Sequence, residues 1–303
     1  TYFTEFNLGY TGSEQFQTGH RFGWFPAISG GWIPTQYKWV QNNMPWLEYF
    51  KLRASYGLVG NDRIGGTRFP YITSIVGGGS GWNLYGSKKE GQVGTDGLVW
   101  EKAKKLDVGV DVHLFKGMIE FTLDYFKDNR TGIFQQRATV PDEIGLESLP
   151  WANIGEMESH GMDGNITFSK NWNKDWRTTI RGNFTYSRNK VINWEQSGIR
   201  YPYQSYSGVP YGVQHGLIAL GLFKDWDDVY SSPKQTYESK VYPGDIKYKD
   251  VNNDGVINDD DKVPLSYSNT PEIQYGFAAE VRWKKITLSA LFEGTGHSTF
   301  FYG

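Results

Sequence analysis

Leu106-Asp107-Val108-Gly109-Val110-Asp111-Val112-His113-Leu114 puts an aliphatic residue at every even position and a polar residue or glycine at every odd one. Successive side chains of a β-strand point to opposite faces, so this stretch is a strand with one greasy and one wet face. Phe115-Lys116-Gly117 interrupts it, and a second run then sets Ile119, Phe121, Leu123 and Tyr125 against Glu120, Thr122 and Asp124. Two alternating runs across so short a break predict an antiparallel hairpin.

The same grammar extends in both directions. Leu52, Ala54, Tyr56 and Leu58 alternate with Lys51, Arg53, Ser55 and Gly57; Thr178, Ile180, Gly182, Phe184 and Tyr186 alternate with Arg177, Thr179, Arg181, Asn183 and Thr185. Ile273, Tyr275, Phe277, Ala279, Val281 and Trp283 form another apolar phase, and Ile286, Leu288, Ala290 and Phe292 follow the turn Lys284-Lys285. Weaker patterns cover Phe6-Leu8-Tyr10, Phe22 to Trp32, and Met162 to Phe168, with both faces of the Phe22 to Trp32 strand open. That makes nine strands. Their links alternate in length, short at 116–117, 170–175 and 284–285 and long at 60–104, 128–158 and 189–270. The links 11–21 and 34–49 depart mildly from the alternation.

A soluble antiparallel sheet with one face on a core would show the same periodicity. Three features favour a transmembrane barrel. Charges recur on the polar phase, as a lumen requires; aromatic residues such as Tyr10, Tyr125, Tyr186 and Trp283 end the apolar phase, as an interfacial girdle requires; and strands of about ten residues can cross a tilted bilayer path. Long links gathered at one end also fit outer loops opposite short periplasmic turns. Composition agrees: of 303 residues, 17% are aromatic and 21% charged, and mean hydropathy is -0.55. No uncharged apolar run approaches the length of a membrane helix, and an alternating barrel strand has soluble-looking hydropathy. The expected fold is therefore all-β, with residues 1–303 forming a portion of a large antiparallel transmembrane barrel and 189–270 a long extracellular loop. The chain opens at Thr1 inside a strand pattern and reads as a fragment or a processed product. The net charge of -2 and scattered basic residues give no footprint for nucleic acid, and the absence of Cys decides nothing.

Several blocks in order carry a family resemblance. Phe22-Gly23-Trp24-Phe25-Pro26-Ala27-Ile28-Ser29-Gly30-Gly31-Trp32, Lys51-Leu52-Arg53-Ala54-Ser55-Tyr56-Gly57, Gly60-Asn61-Asp62, Trp100-Glu101-Lys102-Ala103, Gly182-Asn183-Phe184-Thr185-Tyr186 and Pro243-Gly244-Asp245-Ile246-Lys247-Tyr248 resemble the SusC/RagA family of TonB-linked outer-membrane proteins. The resemblance implies a 22-strand barrel around a plug, integral to the bacterial outer membrane and bathed in its lipid. It implies nutrient import energised by the TonB complex through a segment not included here, with a SusD-like surface lipoprotein as lid. The implied cargo is an oligosaccharide or a peptide.

Asp250-Val251-Asn252-Asn253-Asp254-Gly255-Val256-Ile257-Asn258-Asp259-Asp260-Asp261 follows the spacing of a calcium loop. Calcium takes six to eight oxygens, and glycine at the sixth position permits the sharp turn. Asp250, Asn252, Asp254 and Asp261 would supply side-chain oxygens, Val256 its carbonyl, and Asn258 a direct or water-mediated contact to a structural Ca2+. Asp261 stands where Glu is usual, which shortens the reach. An acidic solvated turn is the alternative. In the same loop Trp194, Tyr201, Tyr203, Tyr206 and Tyr211 are candidates for stacking on cargo or for contact with the lid. Asp111, Arg181, Glu280 and Arg282 are assigned to the lumen, with mutual pairing expected.

No enzyme is expected. His20, His113, His160, His215 and His297 fall in separate elements without metal-ligand spacing. The glycine tract 77–81 lacks the Lys and following helix that phosphate binding needs. Two other classes share many of these features: a calcium-stabilised extracellular binding or adhesion β-protein, and a passive porin.

Overall fold

In the computed structural model, which describes residues 1–64, 68–77, 88–146, 148–237 and 240–300, all nine expected strands form. They are β1 (Tyr2–Gly12), β2 (Phe22–Trp32), β3 (Leu47–Asn61), β4 (Glu101–Leu114), β5 (Ile119–Gln136), β6 (Trp151–Asn171), β7 (Trp176–Asn193), β8 (Ile273–Trp283) and β9 (Ile286–Gly296). Each pairs antiparallel with its sequence neighbour, giving one nine-stranded up-and-down sheet with β1 and β9 at its edges. No helix among the described residues is long and apolar enough to cross a membrane.

Register turns the alternation of single strands into continuous rows. Phe3, Gly31, Arg53, Gly109, Asp124, Asp163, Thr185, Gln274 and Thr295 are successive partners across all nine strands. The row one residue away is Tyr2, Trp32, Leu52, Val110, Leu123, Gly164, Phe184, Tyr275 and Gly294. Because partner side chains share a face, the first row belongs to a polar surface and the second to an apolar one. Val108, Leu123 and Phe277 are exposed on the apolar face, Val110, Phe121 and Val281 are half-buried, and Val112, in register with Phe50 and Phe121, is buried.

Aromatic residues mark both borders of this face. Tyr10 packs on Phe22 and Trp24 at one end, with ring centroids 5.0 and 4.3 Å apart. At the other end Tyr2 stacks on Trp32 and Trp46 on Phe115, and Trp176 lies tilted against Trp283. From Trp176 to Tyr186 the ten residue steps cover ~33 Å along the strand. At a barrel tilt of about 40° this is ~25 Å along the normal, the height of an outer-membrane apolar band.

The open question at β2 is also settled. Phe22, Trp24, Ile28 and Trp32 are the exposed, apolar-face residues. Phe25 instead packs edge-on against Trp100 at 5.2 Å, beside a buried cluster of Phe16, Ile64, Leu98, Trp100 and Phe134. Trp100 Nε1 donates to the Arg21 carbonyl at 2.9 Å, so the connections 13–21 and 62–100 meet here against β5. The Phe25 ring fits because Gly23 and Gly60 carry no side chain: a Cβ there would lie 2.5 and 2.1 Å from it.

The structure corrects three boundaries. β5, β6 and β7 run well beyond the alternating segments, so the long 128–158 link shrinks to 137–150 and the 189–270 loop becomes 194–272. The apolar phase marks only the lipid-facing part of a strand; beyond the girdle the ladder continues without that alternation, mixing polar side chains with apolar ones such as Phe134 and Val191. The long 33–46 connection is no loose turn but a 3-10 turn, Pro34–Gln36, and a short helix, Lys38–Asn43, docked through buried Thr35, whose hydroxyl accepts from the Phe50 amide at 3.2 Å. The 194–272 loop holds three two-stranded ribbons: Val213–Gly216 with Val263–Ser268, Ala219–Leu222 with Ile246–Tyr248, and Lys234–Gln235 with Val256–Ile257. Of the glycine tract, 78–81 lies outside the described residues.

The two rows make a direct prediction. In the full-length protein refolded into vesicles, Leu123→Arg should lower unfolding stability by about 2–4 kcal/mol, because its charge meets hydrocarbon. Thr185→Arg, on the polar row, should stay within about 0.5 kcal/mol of the parent. Equal losses for the two would refute the assignment of faces.

Candidate ligand and metal sites on the long connection

Immediately after β7, Glu195 fastens the start of the long connection to the 137–150 link. Its carboxylate accepts from the Ala138 and Thr139 amides, both at 2.9 Å, and from the Thr139 hydroxyl at 2.6 Å, and it pairs with Arg137 Nε at 2.9 Å. The Glu195 amide donates to Gln135 Oε1 at 3.1 Å, and Gln135 Nε2 returns a bond to the Glu195 carbonyl. Burial alone would raise the Glu195 pKa, but the donors from Thr139, Arg137 and Ala138 outweigh it and hold the carboxyl below its ordinary value. Sequence patterning did not single out Glu195, since its partners are distant in sequence.

The five candidate aromatic residues separate into two groups. Trp194, Tyr206 and Tyr211 line one cleft of about 590 Å³ together with Pro210, Gln214 and His215. Trp194 lies 5.9 Å from Tyr211, and Tyr206 meets the His215 ring edge-on at 4.8 Å. Burial lowers the His215 pKa, which favours the neutral imidazole. The cleft therefore has no charged lining residue and presents rings and amides. Tyr201 and Tyr203 are elsewhere, stacked on each other at 5.3 Å and turned against the acidic loop. The Tyr203 hydroxyl donates to the Asp260 carbonyl at 2.6 Å, and Arg200 pairs with Asp260 at 2.7 Å.

In the acidic loop each expected side chain folds back onto the loop's own amides. Asp250 accepts from Asn253, Asp254 and Gly255, at 2.6, 3.3 and 2.8 Å. Asn252 accepts from the Asp254 amide and Asp254 from the Val256 amide. Asp261 is fully buried and bridges the two ends of the loop, accepting from Val251 at 2.8 Å and Asn258 at 2.9 Å. Asn258 Oδ1 accepts from the Asp260 amide. Gly255 has φ +85°, a conformation that a side chain would strain, so the sharp turn depends on it. Outside the ring of donors, Asp259 is held below its ordinary pKa by Lys262 and by the Tyr237 hydroxyl, and Tyr237 is in turn pushed up by burial and by Asp259. Among the described residues no three His, Asp or Glu side chains gather as a metal cluster.

Of the residues assigned to the lumen, Asp111 pairs with Arg53 at 3.3 Å. Arg181, Glu280 and Arg282 share the polar phase, but no ion pair joins them among the described residues, contrary to the expectation of mutual pairing. Glu280 and Arg282 face Thr179 and Arg177 in register, which leaves Glu280 without a cationic neighbour directly opposite. His113 lies tilted against Tyr49 at 5.0 Å and does not pair with Asp111.

Glu195 gives a pH test. Its folded-state pKa is depressed, so its contribution is present above the unfolded carboxylate value and is lost as pH falls through the lower folded value. Hydrogen exchange at the Ala138 and Thr139 amides should therefore accelerate only below the ordinary glutamate range. Glu195→Ala should loosen them at neutral pH by about 2 kcal/mol. Unchanged protection in that variant would show that the latch is ornamental.

Comparison with known proteins agrees with the sheet and its two faces. The family model described as TonB dependent receptor-like, beta-barrel matches residues 2–289. TonB-dependent receptor P26 of Formosa agariphila is 26% identical over 302 residues, covering 94% of this chain and 29% of that protein. TonB-dependent receptor SusC of Bacteroides thetaiotaomicron is 23% identical over 298 residues, 95% of this chain and 29% of that protein. A solved structure of the RagAB peptide importer in the closed-closed state superposes with a TM-score of 0.74 at 19% identity, covering 98% of this chain and 32% of that one. The chain thus spans under a third of the length of these relatives. With the matched model spanning nearly every strand of the two-faced sheet, the chain belongs to the TonB-dependent receptor β-barrel family, whose members are integral to the bacterial outer membrane.

Proposed function

We propose that this chain forms part of the barrel wall of a TonB-energised nutrient importer that works with a SusD-like surface lipoprotein. The observation that carries the reading is the pair of adjoining rows, one apolar and bordered by aromatic residues, the other polar and charged. Such a wall separates lipid from an aqueous passage. The 194–272 segment lies on the cell surface and 115–118 and 284–285 in the periplasm, since the longest connections share one end. The uncharged cleft of Trp194, Tyr206 and Tyr211 suits cargo with flat apolar faces, either an oligosaccharide or a peptide, and is also placed for contact with the lid. Deleting TonB from a strain that relies on the full-length protein should abolish uptake of its cargo. Uptake that persists and falls off only with solute size would identify a passive porin instead. Protease added to intact cells should cut 194–272 and spare both short turns; the reverse pattern would invert the topology.

Calcium at Asp250 to Asp261 is part of the same proposal. Hard oxygen donors from Asp250, Asn252, Asp254, Asp261, the Val256 carbonyl and Asn258 suit this ion, which would offset their mutual repulsion. Support comes from the inward folding of these side chains around Gly255 and from Asp261 tying the loop's ends together. The bound ion would supply stiffness rather than chemistry. Tyr201, Tyr203 and Arg200 would transmit that stiffness to the rest of the connection. Titration of the detergent-solubilised full-length protein should show calcium binding and a rise in loop stability with concentration, and Asp254→Ala should remove both without preventing membrane insertion. An ordered loop that takes up no calcium would leave an acidic turn.

A further inference from the structure

The turns that join β6 to β7 and β8 to β9 lie side by side at one border of the apolar face. The Lys284 amide donates to the Asp175 carbonyl at 2.7 Å, and Asn173 Oδ1 shapes the first turn by accepting from the Asp175 and Trp176 amides, both at 2.9 Å. Residues 169–178 and 281–287 carry Lys170, Lys174, Arg177, Arg282, Lys284 and Lys285 against a single carboxylate, Asp175. Among the described residues none of these cations forms an ion pair. Glu280 stands opposite Thr179 and Ser289, on the polar phase with Arg177 and Arg282, which face each other in register. On the neighbouring 115–118 turn Lys116 is matched in number by Glu120, whose carboxylate reaches back over Gly117, so the positive excess belongs to the other two turns.

The lysines meet indole rings on the lipid side. Lys170 is in register with Thr178, on the apolar phase, and its ammonium lies 4.3 Å from the Trp172 ring centroid. The Lys284 ammonium lies 5.3 Å from the Trp283 ring, and Trp283 faces Trp176 in register. A cation over a ring is held at the depth of that ring instead of extending into water. Trp172 Nε1 donates to Thr178 Oγ1 at 3.1 Å, whereas among the described residues no acceptor takes the Nε1 of Trp176 or Trp283. All three indoles are exposed. At the opposite border Tyr10, Phe22 and Trp24 carry no cation over their rings among the described residues, so this pairing is not a general feature of the girdle.

Resting on the barrel and topology readings above, we propose that these two turns form a binding site for the headgroup of an anionic phospholipid in the periplasmic leaflet. Indole rings at a membrane border sit at the level of the headgroups. The ammonium groups of Lys170 and Lys284 and the unpaired indole N–H groups supply charge-assisted and neutral donors to a phosphodiester. Exposed Ile286 and Leu288 continue the surface beside the acyl chains. A zwitterionic headgroup would bring an ammonium of its own into a lysine-rich site with one carboxylate to receive it, so the charge balance selects a headgroup with net negative charge. Lys174 and Lys285, exposed on the turns, add to the field within a Debye length of the phosphate.

The test places the full-length protein in nanodiscs of phosphatidylcholine mixed with phosphatidylglycerol and counts the lipids retained on gentle release by native mass spectrometry. The parent should retain phosphatidylglycerol in preference to phosphatidylcholine. Lys170→Gln and Lys284→Gln should each lower that preference by about fivefold, the size expected of one cation against an anionic headgroup layer. Lys170→Arg and Lys284→Arg should keep it, and so should Lys38→Gln, which removes a charge from the separate 33–46 connection. Equal retention of the two lipids by the parent, or a loss as large in Lys38→Gln, overturns the site. Heat-modifiable gel migration reports the barrel separately; a parent protein without it refutes the barrel reading and the lipid site with it. In intact cells a photocrosslinking residue at Asn171, exposed between Lys170 and Trp172, should capture phospholipid. Capture of lipopolysaccharide there would overturn the assignment to the periplasmic leaflet and, with the protease pattern, the topology beneath it.

Discussion

In hydrocarbon there is no water to satisfy a backbone amide, so every N–H and C=O that crosses the bilayer needs a partner strand. Strands in sequence order meet this with the shortest connections, which is the arrangement from β1 to β9. The ladder then imposes the two-residue period on every side chain, and the register propagates it sideways. Leu52, Val110 and Leu123 become one lipid-facing row only because Arg53, Gly109 and Asp124 form the next. A slip of one residue in any strand would put carboxylates into lipid, so the chemistry of one face fixes the register of the other.

Beyond the aromatic borders the solvent changes and so does the rule. β5, β6 and β7 keep their ladders, but their side chains no longer sort by polarity, and the connections find other means of order. At one place five buried apolar side chains from two connections and one strand make a small core around Trp100. At another, a single carboxylate, Glu195, gathers four donors from 137–139. The 194–272 connection is held by short ribbons and by side chains of Asp, Asn and Gln that bond backbone amides, which lets a long segment fold with few apolar side chains fully buried. Its candidate sites thus rest on a framework of polar bonds rather than a large core.

The sequence by itself determined the nine strands, their antiparallel order and their lipid-facing phase, because a period of two is written in consecutive residues such as Leu106 to Leu114. It also determined the Asp250 to Asp261 donor spacing, a local pattern. The strand ends beyond the girdle were not legible, since no lipid contact there forces alternation, and the Phe22 to Trp32 strand stayed ambiguous because both of its phases carry aromatic residues. Only the tertiary structure decided that Phe25 turns toward Trp100, that Tyr201 and Tyr203 leave the cleft of Trp194, Tyr206 and Tyr211, and that Arg53 sits among Asp107, Asp111 and Asp124. Each of these depends on register and loop packing between residues far apart in sequence, where the partner is chosen by what the fold brings within a few ångströms rather than by any local spacing.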